Sequence, residues 1–147
     1  MAKFDPKVFS RILVAVDDSD DAQLAFRFAM NRAKNDDAEL VIVSVLEPGQ
    51  FSIYQVMTPD FIHGKRANLE VHLQHYLNVA ERFGIVKARA IIAEGKPGEV
   101  IVKQVIPQVD PDLLVIGSVA KKGATKYFGS QAAYMAKYAP TSIMIIR

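Results

Sequence analysis

Five short apolar runs, rich in β-branched residues, recur along the chain. They are RILVAV (residues 11–16), ELVIVSV (39–45), KARAIIA (87–93), LLVIG (Leu113–Gly117) and SIMII (Ser142–Ile146). A strand with one wet face alternates apolar and polar positions. These runs are mostly apolar throughout and read as strands covered on both sides. The segments between them have helical spacing instead. After the first run Ser19 suits an N-cap, with Asp20 and Asp21 in the first turn, and Leu24, Ala25, Phe28 and Ala29 fall on one face. A long helix is predicted over Pro59–Phe83, striped by Leu69, Leu73, Tyr76, Leu77, Ala80 and Phe83, with Gly84 as its stop. Gly95, Lys96, Pro97 and Gly98 turn into EVIVKQVIPQV, where Pro97 suits the first turn and Pro107 should end or kink the helix. SQAAYMAKY (Ser130–Tyr138) forms the last helix.

The order βαβαβαβαβ implies one α/β domain over residues 1–147, with a doubly wound five-stranded parallel sheet of strand order 3-2-1-4-5. One segment breaks the pattern. LEPGQFSIYQVMTP has no clean period and reads as a long loop, and its Phe51, Ile53, Tyr54, Val56 and Met57 suit the cover of a pocket or of a partner surface.

Ligands of such sheets sit beyond the carboxyl ends of the strands, where the strand order reverses. That rule brings the segment after the first strand beside the segment after the fourth. The first is acidic, with Asp17, Asp18, Asp20 and Asp21, and repels phosphate. The second holds Lys121, Lys122 and Lys126 with Gly117, Gly123 and Gly129, then meets a helix N-terminus whose free N–H groups favour anions. A bound nucleotide would therefore place its phosphates at the fourth-strand loop and its base or ribose near Asp17. The same glycines and lysines also fit a plain solvated turn.

Composition narrows the functional classes. With no cysteine there is no disulfide, thiol nucleophile or thiolate metal site. Basic and acidic residues number 18 and 16, and aromatics do not interleave with the basic ones, so nucleic acid is not expected as a partner. No stretch approaches the ~18 consecutive apolar residues of a membrane span, and the N-terminus is unlike a signal peptide, so no membrane association and a cytoplasmic location are expected. His72 and His75 stand three apart on the long helix but read as part of a solvated face, and no metal site is assigned. Ser118 and Ser130 have no histidine placed near them in chain order, so no catalytic residue is assigned.

RILVAVDDSDDA, the GKPGEVIV turn, DLLVIGS, the later Gly129-Ser130 pair and the final TSIMIIR occur in this order over essentially the whole chain. In these pieces the sequence resembles the universal stress protein family. The resemblance implies a flavodoxin-like, adenine nucleotide alpha hydrolase-like domain that forms a homodimer through its last strand. One branch of the family binds ATP through Gly-x2-Gly-x9-Gly-Ser after the fourth strand. Gly117 fits the first glycine and Gly129-Ser130 the closing pair, but Ala120 takes the second glycine position and only eight residues (121–128) separate it from Gly129. Carried over residue by residue, the resemblance sets Asp17 and the backbone of Val45 at the base or ribose. Ile116, Gly117, Ala120, Gly129, Ser130 and the helix start at Gln131 would meet ribose and phosphates. The implied ligand is ATP or another adenine nucleotide, accompanied by Mg2+. The implied function is a regulatory protein of the stress response with at most slow ATP hydrolysis. The alternative is the same fold with a degenerate pocket, acting as a nucleotide-free interaction or signalling dimer. Ile143, Met144, Ile145 and Ile146 make an edge strand open to pairing, unless the N-terminal arm lays Phe4 and Phe9 across it.

Overall fold

A computed structural model describes residues 5–17, 19–47, 59–118 and 129–147, with the side chains of all of these except 59–63 and 65. Asp18, the apolar segment from Phe51 to Met57, Ala120 and the three loop lysines lie outside the described residues. The strands are β1 (Arg11–Ala15), β2 (Glu39–Leu46), β3 (Ala88–Glu94), β4 (Leu113–Gly117) and β5 (Ser142–Ile146). All pair in parallel in the order β3-β2-β1-β4-β5, with Val14 of β1 level with Ile42 of β2 and Val115 of β4. The expected order is observed, and it puts β5 at one edge and β3 at the other. Among the described residues no helix is long and apolar enough to cross a membrane.

The helices are α1 (Asp20–Asp36), α2 (Pro59–Phe83), α3 (97–109) and α4 (Ser130–Tyr138). Side chains alternate across each strand, so the sheet feeds two cores. Ile12, Val14, Leu40 and Ile42 pack under α1 and α2, while Leu13, Val41, Val43 and Leu114 pack under α3 and α4. This two-sided cover is why the strands carry so few polar positions.

Two helices differ in detail from their sequence patterns. The buried face of α1 is Ala22, Ala25, Phe26, Ala29, Met30 and Ala33, and Phe28 is 51% exposed, not part of that face. The buried positions recur at steps of three and four, and Phe28 stands two positions beyond Phe26, on the far side of the helix. In α3 the chain runs as an α-turn (Pro97–Val100), a π-turn (Ile101–Val105) and a last α-turn (Ile106–Val109). The Ile106 N–H reaches back five residues to the Ile101 carbonyl. Pro107 has no N–H for the carbonyl of Lys103, and the ladder widens one turn ahead of it. The helix then stops at Asp110, which has φ 53°.

The N-terminal arm does not lie across β5 at Phe9. The Phe9 N–H donates to Asp36 at 2.8 Å, and the Arg32 guanidinium covers its ring, which ties the arm to the last turns of α1. Phe4 lies outside the described residues.

Candidate functional site

At the carboxyl edge, β1 runs out through Val16, whose N–H still bonds the Val43 carbonyl at 2.9 Å and whose own carbonyl receives the Ser44 hydroxyl at 2.7 Å. The chain then turns sharply. Asp17 Oδ1 accepts the Ser19 N–H at 2.8 Å, and buried Ser19 caps α1 by accepting the Ala22 N–H at 3.1 Å. The Asp17 carbonyl receives the Tyr76 hydroxyl from α2 at 3.4 Å, and its side chain is exposed above the edge.

The end of β4 is pressed against α1. A Cβ on Gly117 would fall 2.8 Å from Asp21 Cβ and 3.1 Å from the Ala22 nitrogen, so only glycine lets the strand pass. Buried Ser118 is a junction. Its hydroxyl donates to Asp21 Oδ2 at 2.9 Å, its N–H to the Ile146 carbonyl at 2.8 Å, and its carbonyl accepts the Gly129 N–H at 2.9 Å. Gly129 stands at the N-cap of α4 and offers no side-chain cap, so among the described residues no side chain occupies the first N–H groups of that helix. Ser130 is exposed. Gln131 is partly committed, because its Oε1 accepts the Gly98 N–H at 2.8 Å and props the β3–α3 turn against α4.

The residues singled out from the sequence thus gather on one edge: Asp17, the end of β2 at Val45, Ile116 and Gly117, and the start of α4 at Gly129, Ser130 and Gln131. Ile116 is 2% exposed and can offer only its backbone. Ala120 lies outside the described residues. The edge is polarised, acidic where β1 meets α1 and favourable to anions where α4 begins.

The sequence reading left aside a neighbouring feature. Asp17, Gln23, His72, His75 and Tyr76 line a groove of about 140 Å³ between α1 and α2. The two histidines are exposed, as read, but they also face the Asp17 end of the sheet. Their only sequence signal is position: they flank Tyr76, whose ring packs edge-on to Phe26 at 4.7 Å in the core.

Two carboxyls with displaced pKa values lie elsewhere, at the amino edge. Arg89 hydrogen-bonds Glu39 and, with Arg11, outweighs the effect of burial to hold its pKa low. Burial pushes the Asp112 carboxyl up, but the Ser10 and Arg11 N–H groups, at 2.8 and 2.9 Å, pull it below its ordinary value. Both knit the fold. Among the described residues no group of three or more metal-ligating side chains is present.

The universal stress protein family model matches residues 9–147. The chain belongs to the universal stress protein family. A Staphylococcus haemolyticus (strain JCSC1435) protein, provisionally named a universal stress protein, is 29% identical over 140 residues, covering 95% of this chain and 85% of its own. The solved universal stress protein UspA of Lactobacillus plantarum superposes with a TM-score of 0.83 at 23% identity, covering 97% of this chain and all of its own. The family member from Archaeoglobus fulgidus, solved in complex with dAMP, gives a TM-score of 0.66 at 23% identity over 96% of this chain and 100% of its own.

Proposed function

We propose that this universal stress protein is a homodimeric regulatory domain of the stress response that binds ATP, or another adenine nucleotide, across the carboxyl edge of its sheet. One observation carries the reading: Asp17, the Gly117–Ser118 turn and the uncapped start of α4 converge there, acidic on one side and anion-seeking on the other. The dAMP complex of the Archaeoglobus fulgidus member supports the ligand class. Phosphates lie at Gly129, Ser130 and the Gln131 backbone. The base and ribose lie toward Asp17 and the backbone of Val45, with Ile116 and Gly117 lining the path between; Ala120, assigned to the site from the sequence, lies outside the described residues. An accompanying Mg2+ would neutralise phosphate charge at the start of α4. The protein acts by binding, with at most slow hydrolysis, in the cytoplasm. It pairs through β5, whose edge position supports an isologous two-fold contact.

The test is direct. Purified protein is heat-denatured, the supernatant is run on anion exchange at 260 nm, and ATP is titrated calorimetrically into nucleotide-free protein. Adenine nucleotide in the first assay, or ATP binding in the second that Gly129→Val removes from a folded protein, supports the reading. No nucleotide and no binding would leave the nucleotide-free dimer as the function of this fold.

A further inference from the structure

We propose that the Gln131 side chain caps helix α3 from across the fold, and that this bond holds the start of α4 in the position that meets phosphate. The positioning role rests on the nucleotide reading above; the cap does not. The start of α3 has no cap of its own. Lys96 stands at its N-cap in extended backbone, with φ −77° and ψ 126°, and a lysine side chain has no acceptor to offer. Pro97, the next residue, has no N–H. The Val100 N–H returns to the Lys96 carbonyl at 2.9 Å. The buried Gly98 N–H is thus the first donor of the helix, and Gln131 Oε1 accepts it at 2.8 Å from 33 positions away. A serine or aspartate N-cap would accept such a donor locally. Here the acceptor comes from another helix.

The same contact ties down α4. That helix has 9 residues and begins at Gly129 with no side-chain cap. A helix so short is marginal by itself, so tertiary contacts set where it starts. The Gly129 N–H joins it to the Ser118 carbonyl at the end of β4, and Gln131 joins it to the turn after β3. Close packing backs the second bond. A Cβ on Gly98 would fall 2.9 Å from Gln131 Oε1, 3.1 Å from Tyr134 Cδ1 and 3.3 Å from the Gln131 carbonyl oxygen. Only glycine lets the turn come this near. Release of Gln131 therefore uncaps α3, and it also lets the first turn of α4 spread over several orientations. A phosphate must then order that turn as it binds, which lowers affinity.

One rescue separates a cap from a positioning residue. Gln131→Met keeps the length of the side chain and removes the acceptor. Lys96→Ser in that background returns a local cap to α3, because that residue already has the extended backbone of an N-cap, but it leaves α4 untied. Wild type, the two single variants and the pair are compared by urea unfolding followed by circular dichroism. Each is then titrated calorimetrically with ATP and with inorganic tripolyphosphate. Gln131→Met should unfold at a lower urea midpoint and bind both ligands about three- to tenfold more weakly, the range for ordering one more group on binding. The pair should recover the midpoint and keep the weakened binding, read against Lys96→Ser alone to control for the lost charge. Unchanged binding in Gln131→Met, or binding that recovers together with the midpoint, would overturn the positioning role. A Gln131→Met midpoint equal to that of wild type would overturn the cap. If wild type binds neither ligand, the nucleotide reading falls and the positioning role with it, and the midpoints alone still decide the cap.

Discussion

The approach of β4 to α1 at Gly117 can be tested with one methyl group. In Gly117→Ala the new carbon would stand 2.8 Å from Asp21 Cβ, 2.9 Å from the Asp21 carbonyl carbon and 3.1 Å from the Ala22 nitrogen. Carbon atoms rest at about 3.5–4.0 Å, so the first turn of α1 or the end of β4 must move by more than half an ångström. That movement is resisted, because Ala22 is bonded to the Ser19 cap and Asp21 to Ser118. Overpacking of this kind costs about 1–3 kcal/mol. Against it, alanine restricts the unfolded chain and returns about 0.4–1 kcal/mol. The net is a loss centred on about 1.3 kcal/mol, or a fall of about 3–5 °C in Tm for a chain of this size. Gly64, in α2, is the control, since no described residue lies within 4 Å of its added Cβ. Gly64→Ala should stabilise by about 0.5–1 kcal/mol through helix propensity. Urea unfolding followed by circular dichroism gives both values on one scale. If Gly117→Ala matches or exceeds wild type in stability, the close approach is not a constraint and the argument fails.

Other expectations follow from the junctions around the sheet. Ser118→Ala leaves the Asp21 carboxylate without its hydroxyl donor and should cost about 1–2 kcal/mol in urea unfolding, and a loss below 0.3 kcal/mol would show that water replaces the bond freely. Asp112→Ala removes the acceptor of two backbone N–H groups and should cost about 1–2 kcal/mol at pH 7. Because the folded-state pKa of Asp112 is lowered, its contribution is present above the ordinary carboxyl pKa and is lost as pH falls below about 4. The gap between wild type and Asp112→Ala should therefore close in acid, and a gap that is constant down to pH 2.5 would refute the carboxylate's role. Ile145→Lys should give a monomer by light scattering, with circular dichroism reporting the fold because Ile145 also packs toward α3 and α4. A folded dimer in that variant would place the interface elsewhere.

The scaffold was legible because local signals agreed with the global arrangement. Ser19 reads as a cap and is one, Gly84 reads as a stop and sits at φ 102°, and Pro107 reads as a break and follows a widened turn. The face of α1 was misjudged because Leu24, Phe26 and Phe28 are all apolar within one turn. Phe26 is the one in step with Ala22, Ala29 and Ala33, and it meets Tyr76 of α2 across the core. The candidate site was legible as loops and charges, not as contacts. Nothing in the sequence shows that Ser118 meets Asp21, 97 positions away, or that Gly98 meets Gln131. Likewise His72 and His75 look like surface until α2 is laid against Asp17.

The bond from the Gly129 N–H to the Ser118 carbonyl fixes both ends of the intervening ten residues on rigid anchors, β4 and α4. For such a tether the entropy of closure grows only as the logarithm of its length. Restoring one residue, from ten to eleven, changes it by about 0.1 kcal/mol. Stability alone therefore hardly constrains the length of a connection between these two anchors. The scaffold is closed by the Ser118–Gly129 bond itself, so the length of chain between the two anchors is a variable that the stability of the sheet and helices does not set.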